Sequence, residues 1–189
     1  MTTDKINTWL DWRLKHGSHE FPGPDGGTCI NEAALVVAGF AYREVTSIQD
    51  LPESFCPVIS QFALTLNDAM PEGTLLDRLR PFAARLSGSS DGRAVADTRG
   101  AYLAMQAARV FAPLALEAAD PAAAARLQAV ETPEQALAAL DELVQVEWPN
   151  NVREAVGAAH RALGRTLNAR EAIYTAELSG VCAIRAAAV

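Results

Sequence analysis

Cys29 and Glu32 stand three residues apart, behind a loop that carries His16, His19 and Glu20, and these residue types suffice for two kinds of chemistry. The first is nucleophilic. A cysteine at the start of a helix has its thiolate stabilised by unpaired amides and by the macrodipole; a His within reach and an orienting acid such as Glu20 would complete a thiol-dependent hydrolase. The second is metal binding. His16, His19, Cys29 and Cys56 are all ligand types that zinc accepts, and Glu32 lies on the same helix face as Cys29. Their order, His-x2-His-x9-Cys-x26-Cys, matches no closed zinc site of known specificity. Against both stands a plainer reading, in which Cys29 is a small buried residue opening a core helix and the loop is a turn.

Either chemistry needs elements that hold the loop. "GSHEFPGPDGG" has four glycines and two prolines, which permit positive φ and forbid continuous helix. Thr28 is placed to N-cap a helix running to about Gly39, and "AALVVAG" is apolar on nearly every side, so this helix belongs at the centre of the fold. Ahead of the loop, Ile6, Trp9, Leu10 and Leu14 recur at helical spacing and predict a helix from about Asp4 to His16, ended by Gly17. Behind it, "CPVISQFALTLNDAM" reads as a helix with Pro57 at its first position, a buried stripe of Val58, Ile59, Phe62 and Leu66, and a stop at Pro71. Asn67 and Asp68 read as its C-terminus. "EGTLLDRLRPFAARLSG" reads as a helix interrupted at Pro81, and Gly88 to Gly92 as a break.

Of 37 alanines, 29 lie at or after residue 94, so the second half favours helix almost throughout. A long helix is expected from about Arg93 to Ala118, with Val95, Tyr102, Met105, Val110 and Leu114 as apolar landmarks and a kink or split at Gly100 and Pro113. "DPAAAARLQAV" opens with Asp120 and Pro121. In "TPEQALAALDELVQVEW", Thr132 reads as N-cap, Pro133 as first helical residue and Gln135 as the reciprocal cap. Two further helices, from about Asn151 to Arg165 and from about Asn168 onward, complete an all-α fold of seven to nine helices. The expected organisation is a helical core over residues 1–130 with a helical extension over 131–189.

The run of "HG", "GTCINEAALVVAG", "LPESFCPVISQFALTLNDAMP", "RLRPFAARLSG" and "ADTRGAYLAMQAARVFAPLALEAA" resembles a family of short proteins from actinobacterial genomes and their phages. That family joins a Cys-x-x-Glu helix ending in Ala-Gly to a Cys- or Ser-Pro-Val-Ile helix ending in Asn-Asp. The resemblance covers about residues 16 to 130; it implies the fold and a phage- or mobile-element setting, and it implies no activity. The chain departs from the family pattern at "FAYREV", where a histidine or acid is usual soon after Ala-Gly.

Charge narrows the partners. The formal net charge is −7, yet it is uneven: Glu117 to Glu147 holds seven acids against Arg126 alone, while Arg78 to Arg109 holds six arginines against Asp91 and Asp97. An acidic chain without a dominant Lys/Arg cluster disfavours nucleic acid, whose affinity rests on counterion release. No apolar run approaches the ~20 residues of a membrane span, the N-terminus does not read as a secretion signal, and three scattered cysteines do not form a disulfide framework; a soluble cytoplasmic protein is expected. The function expected is protein–protein binding, through acidic segment 117–147 or the apolar C-terminal helices, with self-association as one form of it. His160 reads as a filler on an alanine-rich helix.

Overall fold

The computed structural model describes residues 13–20, 27–71, 73, 77–167 and 172–187. These are helical apart from irregular connections and a pair of two-residue strands, β1 (Arg13–Leu14) and β2 (Gly27–Thr28), which run parallel. The chain divides into two compact units, residues 1–92 and 93–189, so contacts divide at the Gly88–Gly92 break and not near residue 130. The reason is local. Phe55 bridges to Ser87, Ser90 N–H donates to Ser54 at 3.1 Å, and Cys56 N–H donates to Ser89 Oγ at 3.0 Å, which ties this tail to the first unit. Gly92, at φ 88°, then turns the chain into a new helix.

In the first unit, α1 (Ile30–Val37) is the hub, buried from Ile30 through Leu35 and packed on α2 (Pro57–Ala69) and α3 (Arg80–Leu86). The expected central helix is therefore present, with a different start: Cys29 is the N-cap, because Thr28 is extended and its carbonyl takes Lys15 N–H at 3.1 Å in the strand pair. The same pairing corrects the helix expected to reach His16. Arg13 and Leu14 are strand, and the rest of that expectation, up to Trp12, lies outside the described residues. Pro57 opens α2 as expected, but its fully buried residues are Val58, Ser60 and Asn67, with Phe62 and Leu66 only half-buried. Pro81 lies in the first turn of α3, where a missing N–H costs nothing; helical Asp77 precedes it across a turn at residues 78–79, in line with the expected interruption, and residues 74–76 lie outside the described residues.

The second unit is built on alanine. α4 (Arg93–Gln106) passes through a π-helical turn (Ala107–Phe111) into α5 (Ala112–Leu116), followed by α6 (Pro121–Gln128), α7 (Pro133–Leu143), α8 (Asn150–Leu167) and α9 (Ala172–Ala187). Asp120 caps α6 through Ala123 N–H at 2.9 Å, and Thr132 with Gln135 forms the expected capping box on α7. The expected irregularity ahead of Pro113 takes the form of the π turn, whereas Gly100 does not break its helix. A methyl there would lie 2.8 Å from Ala172 Cβ, so glycine is what lets α4 and α9 approach.

The face that α4 buries differs from the expected one. Ala96, Gly100, Ala104, Ala107, Ala108, Ala112, Ala115 and Leu116 face inward, while Val95, Tyr102, Val110 and Leu114 face water. The C-terminal helix spends its apolar face inside its own unit: Leu178, Cys182 and Ala186 are buried in the core formed with α4, α8 and the π turn.

Candidate functional site

Of the residues singled out by type, Cys29 and His19 meet at Glu32, whose carboxylate is fully buried at the start of α1. Its Oε1 accepts His19 N–H at 2.9 Å and Val45 N–H at 3.1 Å. Its Oε2 accepts Cys29 N–H at 2.8 Å and the hydroxyls of Tyr42 at 3.0 Å and Thr28 at 3.3 Å. Three backbone segments, ahead of α1, at its first turn and beyond it, are thus tied to one side chain. A carboxylate offers roughly four lone-pair directions; three amides fill most of them, and the Tyr42 and Thr28 hydroxyls, whose single hydrogens are shared with the His19 and Cys29 carbonyls at 2.8 and 3.3 Å, lie over the rest. Glu32 is occupied as a latch; serving as a base or a metal ligand would require giving up bonds that a buried amide cannot replace.

Cys29 completes the capping box, its Sγ accepting Glu32 N–H at 3.4 Å. Burial, then the neighbouring Glu32 charge, pushes its thiol well above the ordinary range. That is the reverse of a helix-terminal thiolate: the dipole is outweighed by desolvation. The same two causes push the half-buried Tyr42 phenol up. His19 reaches Glu32 through its backbone, and its own Nε2 is buried with no hydrogen-bond partner among the described residues. With its sulfur used as a cap and its thiol raised by burial, Cys29 holds its proton in this arrangement, and among the described residues its sulfur meets the Glu32 N–H and no His side chain.

The four proposed zinc ligands are likewise put to separate uses. His16 Nε2 lies 2.6 Å from the Met70 carbonyl at the end of α2, Cys29 caps α1 with its sulfur, and Cys56 stands buried at the N-cap position of α2, where its N–H and not its sulfur makes the bond, to Ser89. Among the described residues no group of three or more His, Cys, Asp and Glu is placed to hold a metal ion. Beside them, Asn67 is a second latch: Oδ1 accepts Ile30 N–H at 3.0 Å, and Nδ2 donates to the Lys15 carbonyl at 2.8 Å and to Asp68 at 3.1 Å. Asp68 also takes Gly17 N–H at 3.0 Å. The residues that read as an ordinary helix end therefore join β1, α1 and α2. In the described part of the stretch from His16 to Gly39, polar side chains clamp a turn against the central helix.

Two surfaces of the second unit are not evident from sequence. One is the outward row on α4 and α5, whose apolar landmark residues look like core when only their types are read. The other is a cleft beside α8 that includes His160, whose Nε2 is 2.7 Å from Asp141 Oδ1. No family model matches the chain, and no curated protein or solved structure similar to it was found. Among the described residues no helix is long and apolar enough to cross a membrane.

Proposed function

We propose that this protein acts by protein–protein binding and that its surface is the outer face of the helix from Arg93 to Leu116, covered by a second copy of the chain. The row of Val95, Tyr102, Val110 and Leu114, exposed by 36%, 62%, 40% and 48%, carries the reading. In an uninterrupted α-helix the twelve steps of about 100° from Tyr102 to Leu114 would turn Leu114 about 120° away. The π turn inserts one extra residue and takes back about 100° of that. Large apolar groups are thereby kept in one line while alanines fill the core side. Rows of this kind, centred on a tyrosine, are what helix-mediated interfaces bury.

A second copy suits the row because the row complements itself. In an antiparallel two-fold pairing the Val95 end of one row faces the Leu114 end of the other, with Tyr102 and Val110 nearer the axis; the helix dipoles oppose, and exposed Arg93 at one end approaches exposed Glu117 at the other. The two surfaces suggested by sequence are less available. The C-terminal helix is committed to its own core, and within acidic segment 117–147 Glu142 pairs with Arg126 at 3.1 Å and Asp141 with His160.

Sedimentation equilibrium tests this. The expected wild type is a dimer of the 20.1 kDa chain, and Tyr102→Glu is expected to be a monomer with unchanged helical circular dichroism. A wild type that stays monomeric up to about 100 μM overturns the reading, as does a dimer indifferent to both Tyr102→Glu and Leu114→Glu.

A further inference from the structure

We infer that the second unit carries a binding site for a small organic anion with a flat apolar body, in the cleft between the end of α7 and the middle of α8. The cleft measures about 280 Å³. Trp148, Val144 and Val156 line it together with three basic side chains, Arg153, His160 and Arg161.

The basic groups are arranged by helix geometry. Arg153, Gly157 and Arg161 are spaced by four residues and stack on one face of α8. A methyl at position 157 would lie 3.1 Å from Arg161 Nη1, so the guanidinium lies over the glycine, folded back along the helix toward Arg153. Glycine in a helix interior is unfavourable by about 1 kcal/mol relative to alanine, and here it supplies the floor on which the guanidinium rests. Elsewhere in this unit Arg93, Arg126 and Arg185 each meet a carboxylate. Arg153 instead donates to the neutral Asn150 Oδ1, and Arg161 has no hydrogen-bond or ion-pair partner among the described residues. Two guanidiniums without a carboxylate therefore share one concavity in a strongly acidic chain.

The remaining walls fix what those cations receive. Trp148 is anchored, its Nε1 donating to the Leu143 carbonyl at 2.8 Å, so the half-buried indole forms a fixed apolar wall. His160 is held from outside by Asp141, a carboxylate acceptor, which places a hydrogen on Nε2. Guanidinium forks match the oxygens of carboxylates and phosphates. A volume just under the roughly 300 Å³ lower bound of typical small-molecule sites admits such a head group and about one ring. The chemistry is thus an oxyanion on a flat body, as in an aromatic carboxylate or an aryl phosphate monoester.

The test uses the full chain. Sodium benzoate, phenyl phosphate and inorganic phosphate are titrated while the Trp148 indole N–H is followed by nitrogen-15 NMR, with Trp148→Phe assigning the resonance. Benzoate or phenyl phosphate is expected to give a saturable shift with Kd on the order of 1 mM or tighter. Affinity is expected to fall about tenfold or more in Arg161→Gln and in Arg153→Gln. Benzoate binding tighter than phenyl phosphate assigns the site to carboxylates, and the reverse assigns it to phosphate esters. Inorganic phosphate binding as tightly as phenyl phosphate overturns the flat-body part of the inference. No saturable shift with any probe up to about 20 mM overturns the site itself, as do unchanged affinities in both arginine variants with intact helical signal. Repeating the titration on Tyr102→Glu separates this result from that of self-association.

Discussion

Within residues 13–92, Thr28, Asn31, Glu32, Ser60 and Asn67 are buried polar groups, and Glu32 and Asn67 bond backbone amides on other segments. Among the described residues of 93–189 the buried polar side chains are Thr175 and Ser179, and the latter bonds the Thr175 carbonyl of its own helix at 2.8 Å. Short elements that bury little apolar surface rely in the first unit on directional cross-links, each tying distant segments. Longer helices in the second unit rely on close approach of alanine faces, spread over many contacts. The lesson concerns where each unit fails: one has a few critical side chains, the other a few critical volumes.

Removing the Glu32 carboxylate is the strongest way to press on that difference. Glu32→Ala leaves the amides of His19, Cys29 and Val45 buried without an acceptor, at about 1–3 kcal/mol each, so a loss of more than about 3 kcal/mol is expected. Hydrogen exchange read segment by segment is expected to show protection collapsing across 13–92 and persisting across 93–189. Collapse of both together would mean that the contrast between the units has no energetic counterpart.

A glycine pair probes the second unit by volume. Gly100→Ala places a methyl 2.8 Å from Ala172 Cβ and 3.1 Å from its Cα. Overpacking of this kind costs about 1–3 kcal/mol, against a helix-propensity gain of up to about 1 kcal/mol, so a net loss of about 1–2 kcal/mol is expected. At Gly164, also helical, a methyl would meet nothing within 4 Å. Gly164→Ala is therefore expected to stabilise by about 0.5–1 kcal/mol. Urea midpoints of the two variants should move in opposite directions; equal signs would show that alanine packing between α4 and α9 is not what limits the unit.

How much of this is legible in the sequence depends on the range of the interaction. Asp120 and the Thr132–Gln135 box can be read because capping is decided within four residues. The start of α1 falls one residue later than Thr28 suggests because Thr28 is claimed by Lys15, thirteen positions away, which no local rule reports. The outward face of α4 escapes a sequence reading for two reasons: alanine is a weak hydrophobic marker, and the extra residue of the π turn shifts the phase of everything after it. Glu32 stands out for its spacing to Cys29, but its role rests on Tyr42 and Val45, and nothing in the sequence announces that an exposed-looking "YREV" supplies donors to a buried acid. Polar residue types at the loop signal a special environment; that its polar groups bond one another across segments is decided by partners far away in the sequence.

Alkaline pH gives the finest comparison of the two units. Burial raises the thiol of Cys182 in the second unit, as burial and Glu32 raise that of Cys29 in the first, both above the ordinary value of 9.0. Such a group binds its proton more tightly when folded. Below pH 9.0 both states are protonated and its stabilisation is complete; as pH rises past that value the unfolded chain loses protons that the native chain keeps, and stability falls. The expected loss between pH 8 and about pH 9.5 is a little under 1 kcal/mol per thiol, followed as the urea midpoint of each unit by hydrogen exchange. Cys182→Ala should flatten the profile of residues 93–189 over this interval and leave that of the first unit unchanged. Above pH 10 the first unit should go on losing stability more steeply, because the raised Tyr42 phenol adds a second group of the same sign. Stability that rises through pH 9 in either unit would mean that its thiol ionises more readily folded than unfolded, and that desolvation does not govern that core.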